Sequence, residues 1–284
     1  MELFADGLYF PECPRWHEGC LWISDMRAGA VVRFDPDGTR HTVVELDGDE
    51  PGGLGWLPDG RLLVVGMHGR RGWRLDGPGL VVHAELGDLA PWGANDMVVT
   101  DEGVAFVSQV GFDMAHRSTP VLATTLLRVR PDGRVDVAAP DMLVPNGMTL
   151  SEDGSTMVVA ETWADRLTAF TVHDDASLTG RRVFAGLSPA AGVRHARPDG
   201  VCADQAGAVW VADFAGRRVL RVEPGGQVTD EIACDAHPLA VVLGGQERRD
   251  LYVCLVAEML AERTAEPRGR LDVLAVEVGG EGRP

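Results

Sequence analysis

A short apolar strand of one type recurs six times along the chain: LWISD at 21–25, LLVVG at 62–66, VAFVS at 104–108, MVVAE at 157–161, VWVAD at 209–213 and LYVCL at 251–255. The starts lie 41, 42, 53, 52 and 42 residues apart. A repeat of forty-odd residues is the period of a β-propeller blade, a unit that buries its apolar faces only against like neighbours. Before each strand stands a turn signal: Glu18-Gly19, Pro58-Asp59-Gly60, Asp101-Glu102-Gly103, Glu152-Asp153-Gly154, Gln205-Ala206-Gly207 and Gly244-Gly245. Such sequences suit tight hairpins because they tolerate positive φ. Another apolar run precedes each turn. A third strand follows in every unit (AVVRFD, GWRLD, TLLRVR, RLTAFTV, RVLRVE, LDVLAVEV), and a fourth in five of them.

The sixth unit stops after its third strand. ELFADG at 2–7 reads like VVELDG at 43–48 and leads straight into the next inner strand, as a fourth strand should. The pattern predicts an all-β fold, a six-bladed β-propeller over 1–284 as a single domain, closed by the N-terminal strand. Closure of this kind removes an open sheet edge. A solenoid shares the period but gives the N-terminal complement no role.

Helix-period stretches are few. The stretch 257–266 has some helical character and is expected to be a loop insert. No apolar run reaches the ~18–20 residues of a membrane span, and no basic segment precedes an apolar core as in a signal peptide. The net charge is −17 and every basic residue other than histidine is arginine. Nucleic acid is therefore not an expected partner, since phosphate binding needs a basic stripe. The lack of lysine excludes Schiff-base chemistry. Cys13, Cys20, Cys202, Cys234 and Cys254 form an odd set without a CxxC pair. They read as free thiols in a reducing cytoplasm.

The chemistry-bearing residues follow the same register. About ten residues before four of the repeated strands stand Glu12 (FPECPRW), Asn95 (GANDMVV), Asn146 (VPNGMTL) and Asp199 (RPDGVCA). Each is expected to open the innermost strand of its blade, where strand starts ring the channel mouth. Asn-Gly and Asp-Gly are also ordinary turn pairs, but Glu12 and Asn95 have no such explanation. Two carboxylates and two amides are hard oxygen donors. They favour one divalent cation, Ca²⁺ first, with Mg²⁺, Mn²⁺ or Zn²⁺ as further candidates.

Taken together, Glu near the start, Asn-Asp, PNG before a DG hairpin, and PDG with WVAD resemble the gluconolactonase/regucalcin superfamily, also called the senescence-marker and luciferin-regenerating family. The resemblance covers essentially the whole chain. It implies a six-bladed propeller with a divalent cation in the channel and a metal-dependent hydrolase acting on a small-molecule lactone or related ester. Glu12, Asn146 and Asp199 match metal-ligand positions of the family. Asn95 matches an asparagine that binds metal or substrate, and Asp199 also matches the proposed general base. Catalysis is thus expected from Asp199 and Asn95. One departure is Gly93, where sugar-lactone enzymes of the group often carry Arg.

Trp92, Phe112, Trp163, His68 and His237 are the expected substrate-binding residues at the mouth, with Met97 and Leu239 as further apolar candidates there. This wall suits a less polar lactone than gluconolactone. No serine nucleophile is indicated, since Ser108, Ser118, Ser151 and Ser188 lack triad context. His17, His41, His83, His116, His173 and His195 read as surface or loop residues. Two other readings stay open: a non-catalytic binding propeller, and a strictosidine-synthase-like enzyme with Glu161 or Glu258 as base. The sequence leaves the oligomeric state open.

Overall fold

The computed structural model describes residues 1–113, 120–189, 192, 194–259 and 266–282. His116, Ser118 and residues 260–265 of the helix-like stretch lie outside them. Six four-stranded antiparallel sheets form the blades of a β-propeller. The inner strands are Pro11–His17, Pro51–Trp56, Ala94–Val99, Pro145–Leu150, Pro198–Ala203 and His237–Gly244. Each packs against the inner strand of the next blade, and the sixth returns to the first.

The repeated apolar segments are the second strands, antiparallel to the inner ones. The glycine of every predicted turn adopts positive φ, between 70° and 83°. The hairpins therefore form where the turn chemistry placed them. The sixth blade takes its outermost strand from the other end of the chain. Glu2–Leu8 pairs antiparallel with Gly269–Ala275, Glu2 opposite Val273 and Leu8 opposite Gly269. Phe4 fixes this closure, edge-on to Tyr252 at 5.0 Å and to Phe34 at 5.8 Å between ring centroids.

Six apolar clusters fill the wedges between blades. Leu8, Ile23, Phe34, Cys254 and Leu271 join the last blade to the first, and Phe106, Met148, Met157 and Phe170 join the third to the fourth. Met97 and Leu239, expected at the mouth, are buried in these clusters instead. Alternation along each strand turned them into a wedge. His17, His41 and His83, read as surface or loop residues, are half-buried on strands, and His17 stacks on Trp56 with centroids 3.8 Å apart.

Candidate active site

In an up-and-down blade the inner strand begins, and the second strand ends, on the same face. All six inner strands have a register irregularity near their start, between Glu12 and Arg15, Pro51 and Leu54, Ala94 and Met97, Pro145 and Met148, Pro198 and Val201, and Pro238 and Ala240. Bulges of this kind re-aim a side chain. The residues at that point are Glu12, Gly52, Asn95, Asn146, Asp199 and Leu239. Four predicted oxygen donors thus occupy equivalent positions in four blades; the other two blades have Gly52 and Leu239 there, and Leu239 packs into the wedge between the last blade and the first.

The glycines of PNG and PDG are strand residues with no turn role. A Cβ on Gly147 would stand 2.6 Å from the Gly200 Cα, and one on Gly200 would stand 2.3 Å from the Ala240 Cβ. They let neighbouring inner strands close around the axis. Close approach, rather than positive φ, explains the motif.

The four donors meet. Asn95 Nδ2 donates to Asn146 Oδ1 at 2.8 Å. Asp199 is buried within hydrogen-bonding reach of the Asn146 amide and feels the charge of Glu12. Glu12 Oε2 accepts from the Cys13 backbone N–H at 3.0 Å. Burial pushes the Glu12 carboxyl up to about 8, with repulsion from Asp96 adding to it. Asp199 is pushed well above the usual carboxylate range by burial and then by Glu12. Both shifts report negative charge gathered in a low-dielectric channel, the condition a divalent cation relieves. Among the described residues no three His, Cys, Asp or Glu side chains cluster as a metal site. The candidate donor set is therefore mixed carboxylate and amide, suited to a hard cation.

Several residues that build the site were not foreseen. Arg15, three residues beyond Glu12 on the same inner strand, is buried and pairs with the buried Asp96 at 2.7 Å. It also donates to the Met97 carbonyl. Asp96 accepts from its neighbour, the Met97 N–H, at 2.7 Å, and Ser108 Oγ accepts from the Asp96 N–H at 3.0 Å. Ser108 is therefore structural. The acid ending three of the repeated strands has a common task. Asp25 accepts from the Tyr9 and Phe10 N–H groups, Glu161 from Leu143 N–H and Asp213 from Arg197 N–H, at 2.9–3.1 Å. Each thereby fixes the segment just before a donor residue. A charged residue inside an otherwise apolar repeat was the available signal.

The expected mouth residues lie on the donor face: His68, Phe112 and Trp163 follow second strands, Trp92 precedes an inner strand and His237 opens one. Phe112 and Trp163 form a tilted pair with centroids 6.2 Å apart, and the Arg197 guanidinium covers the Trp163 ring at 5.2 Å. Trp92 is exposed. His237 Nδ1 contacts the Phe214 carbonyl at 2.8 Å, so Nδ1 carries the proton and Nε2 accepts from Arg217 at 3.2 Å. His68 lies against Glu50 at 3.4 Å in the second blade, which supplies no donor to the ring. Gly93 has φ +146°, a backbone conformation disfavoured for L side chains.

The family described as SMP-30/Gluconolactonase/LRE-like region matches residues 10–257. The chain belongs to this family. A 6-deoxy-6-sulfogluconolactonase of Pseudomonas putida is 30% identical over 256 residues, covering 85% of this chain and 81% of the relative. A pentonolactonase of Haloferax volcanii is 26% identical over 284 residues, covering 96% and 92%. Among solved structures, the calcium-binding protein regucalcin of Agrobacterium tumefaciens superposes with a TM-score of 0.80 at 20% identity, covering 98% of this chain and 94% of the other. That likeness bears on the fold.

Proposed function

We propose that the chain is a divalent-cation-dependent hydrolase of small-molecule lactones. The observation that carries this reading is the common register of Glu12, Asn95, Asn146 and Asp199 on four inner strands. Names of the two sequence relatives support the lactone as substrate class. Glu12, Asn146 and Asp199 would hold the cation, Ca²⁺ first by donor chemistry, with Asn95 beside them. When bound, it supplies Lewis-acid polarisation of the lactone carbonyl.

The rest falls to the chain's own groups. Asp199 is the side chain placed to take a proton from the attacking water. Burial alone holds its carboxyl well above the usual range, and a bound cation would bring it down again, so Asp199 serves through its placement beside the water rather than through basicity. Asn95 can donate its second Nδ2 proton to the substrate oxygen that gains charge, as oxyanion donors do. The aromatic wall of Trp92, Phe112 and Trp163 bounds the entrance, with His68 and His237 on the same face. With Gly93 in place of a guanidinium, this mouth favours a lactone less polar than gluconolactone. The two other candidate bases serve elsewhere. Glu161 is held by Arg166, Arg181, Thr168 and the Leu143 N–H. Burial would raise its pKa, but these bonds outweigh it and lower the value. Glu258 pairs with Arg268 at 3.2 Å.

Five free cysteines accord with a reducing cytoplasm. Among the described residues no helix is long and apolar enough to cross a membrane. The test is a panel of lactones and esters with metal-free and metal-loaded enzyme, comparing Asp199→Asn with Glu12→Gln at saturating cation. The Asp199 variant should lose about 10²–10⁴-fold in kcat, the typical contribution of a general base. The Glu12 variant should recover most activity as cation is added. Equal, metal-rescued losses would reduce Asp199 to a ligand. No turnover of any lactone would leave a binding propeller.

A further inference from the structure

Thr162 opens the short 3-10 turn Thr162–Ala164 after the second strand of the fourth blade, and it is buried. Its hydroxyl stands between two donor-bearing strands. Thr162 Oγ1 donates to the Pro198 carbonyl at 2.8 Å, and Asn146 Nδ2 lies 3.3 Å from the same oxygen. Pro198 immediately precedes Asp199. The Thr162 N–H donates to the Val144 carbonyl at 3.0 Å, and Arg197 Nη1 donates to the Thr162 carbonyl at 3.2 Å. One residue therefore ties together the strand starts that carry Asn146 and Asp199.

The donor and acceptor rules make this contact directional. A carbonyl oxygen only accepts, so the single hydroxyl proton of Thr162 is committed to Pro198. The hydroxyl can then only accept from Asn146. An amide has one donor end and one acceptor end, so its NH₂ end must face Thr162 and its oxygen must face the other way. The oxygen is found accepting from Asn95 Nδ2. Reversal would set an amide oxygen against a hydroxyl with no proton left to give, and against the Asp199 carboxylate that the other N–H of the amide now serves.

We propose that Thr162 is a positioning residue that locks the Asn146 amide with its oxygen toward the cation. The inference rests on the cation reading given above. Groups that orient a ligand without touching the metal commonly carry about 10–100-fold in affinity. Thr162→Val keeps shape and β-branching but removes the acceptor. Thr162→Ser keeps the acceptor.

The experiment is calorimetric titration of metal-free protein with Ca²⁺ and with Mn²⁺. It uses the wild type, both Thr162 variants, Asn146→Asp, and Asn146→Asp combined with Thr162→Val. Circular dichroism confirms the fold of each. The expected result is a loss of about 10-fold or more in cation affinity for Thr162→Val and wild-type affinity for Thr162→Ser. An aspartate at 146 has no wrong end, so in that background Thr162→Val should cost no affinity. A merely structural role for Thr162 would lower affinity equally in both backgrounds, and that outcome overturns the proposal. So does unchanged affinity in Thr162→Val. Wild-type protein that binds neither cation would remove the cation reading itself, a failure distinct from either of these.

Discussion

The raised carboxyls can be tested without any substrate. In cation-free protein the Glu12 carboxyl is lifted from 4.5 to about 8. A carboxyl raised on folding contributes stability that is complete below its unfolded value and is lost as pH rises through the folded value. At ~1.4 kcal/mol per unit, the 3.5-unit interval corresponds to ~5 kcal/mol lost between pH 4.5 and 8. Glu12→Gln keeps the shape of the protonated acid and cannot ionise. In excess chelator the variant and the wild type should melt together near pH 4.5 and diverge above it. By pH 8 the variant should be the more stable, by on the order of 10 °C for a chain of this size. Asp199 shifts in the same direction in both proteins. Removing the Glu12 charge also eases Asp199, which adds to the divergence.

Saturating Ca²⁺ should reverse the order. A ligand that binds only the native state stabilises it by RT ln(1 + [L]/Kd), and the wild type has one more anionic donor with which to bind. Melting curves at pH 4.5, 6, 7 and 8, with chelator and with Ca²⁺, give the whole comparison. Parallel pH profiles in chelator would refute the buried-charge argument. A variant less stable at every pH in chelator would show that Glu12 is held by its bonds and not strained by its surroundings.

Two predictions concern the frame. Gly200→Ala drives a Cβ to 2.3 Å from that of Ala240 and 2.6 Å from its Cα, so urea unfolding should show a loss of at least ~1–3 kcal/mol. Retention of full stability would mean that the inner strands can part without cost. Deleting residues 2–8 exposes the edge Gly269–Ala275 and removes Phe4 from Phe34 and Tyr252. Light scattering should report aggregation at concentrations where the intact chain is clear, and an equally soluble, equally heat-stable truncation would count against the closure.

Much of the architecture was legible because a propeller writes the same local instructions six times. The turn glycines before Leu21, Leu62, Val104, Thr156, Val209 and Asp250 each demanded a hairpin. The mismatch between a three-stranded last unit and a surplus strand at residues 2–7 then left one way to close the ring. What escaped was the assignment of single apolar side chains. Met97 and Leu239 belong to mouth-proximal strands, but period-two alternation sends a strand residue either to a wedge or to the axis. An inner-strand bulge shifts that parity once in every blade, so parity could not be counted from sequence without knowing the bulge.

The site divides along the same line. Glu12, Asn95, Asn146 and Asp199 were legible because each repeats a register, and a register survives in one dimension. The groups that hold them were not. Arg15 and Asp96 lie 81 residues apart, and Thr162 reaches Pro198 across 36. Arg15 reaches from the first blade past the second to the third, and Thr162 acts through the boundary of the fourth and fifth, so partners in space are distant in sequence and no repeat advertises the pair. Gly147 shows how one local signal can mislead. Asn-Gly favours a turn, yet here the pair lies in a strand, because a glycine also allows the close passage of another backbone. The ring of donors and the closeness of the strands thus have one cause. Gly147 and Gly200 let the fourth, fifth and sixth blades close on one another, and the bulge beside each re-aims the donor that precedes it.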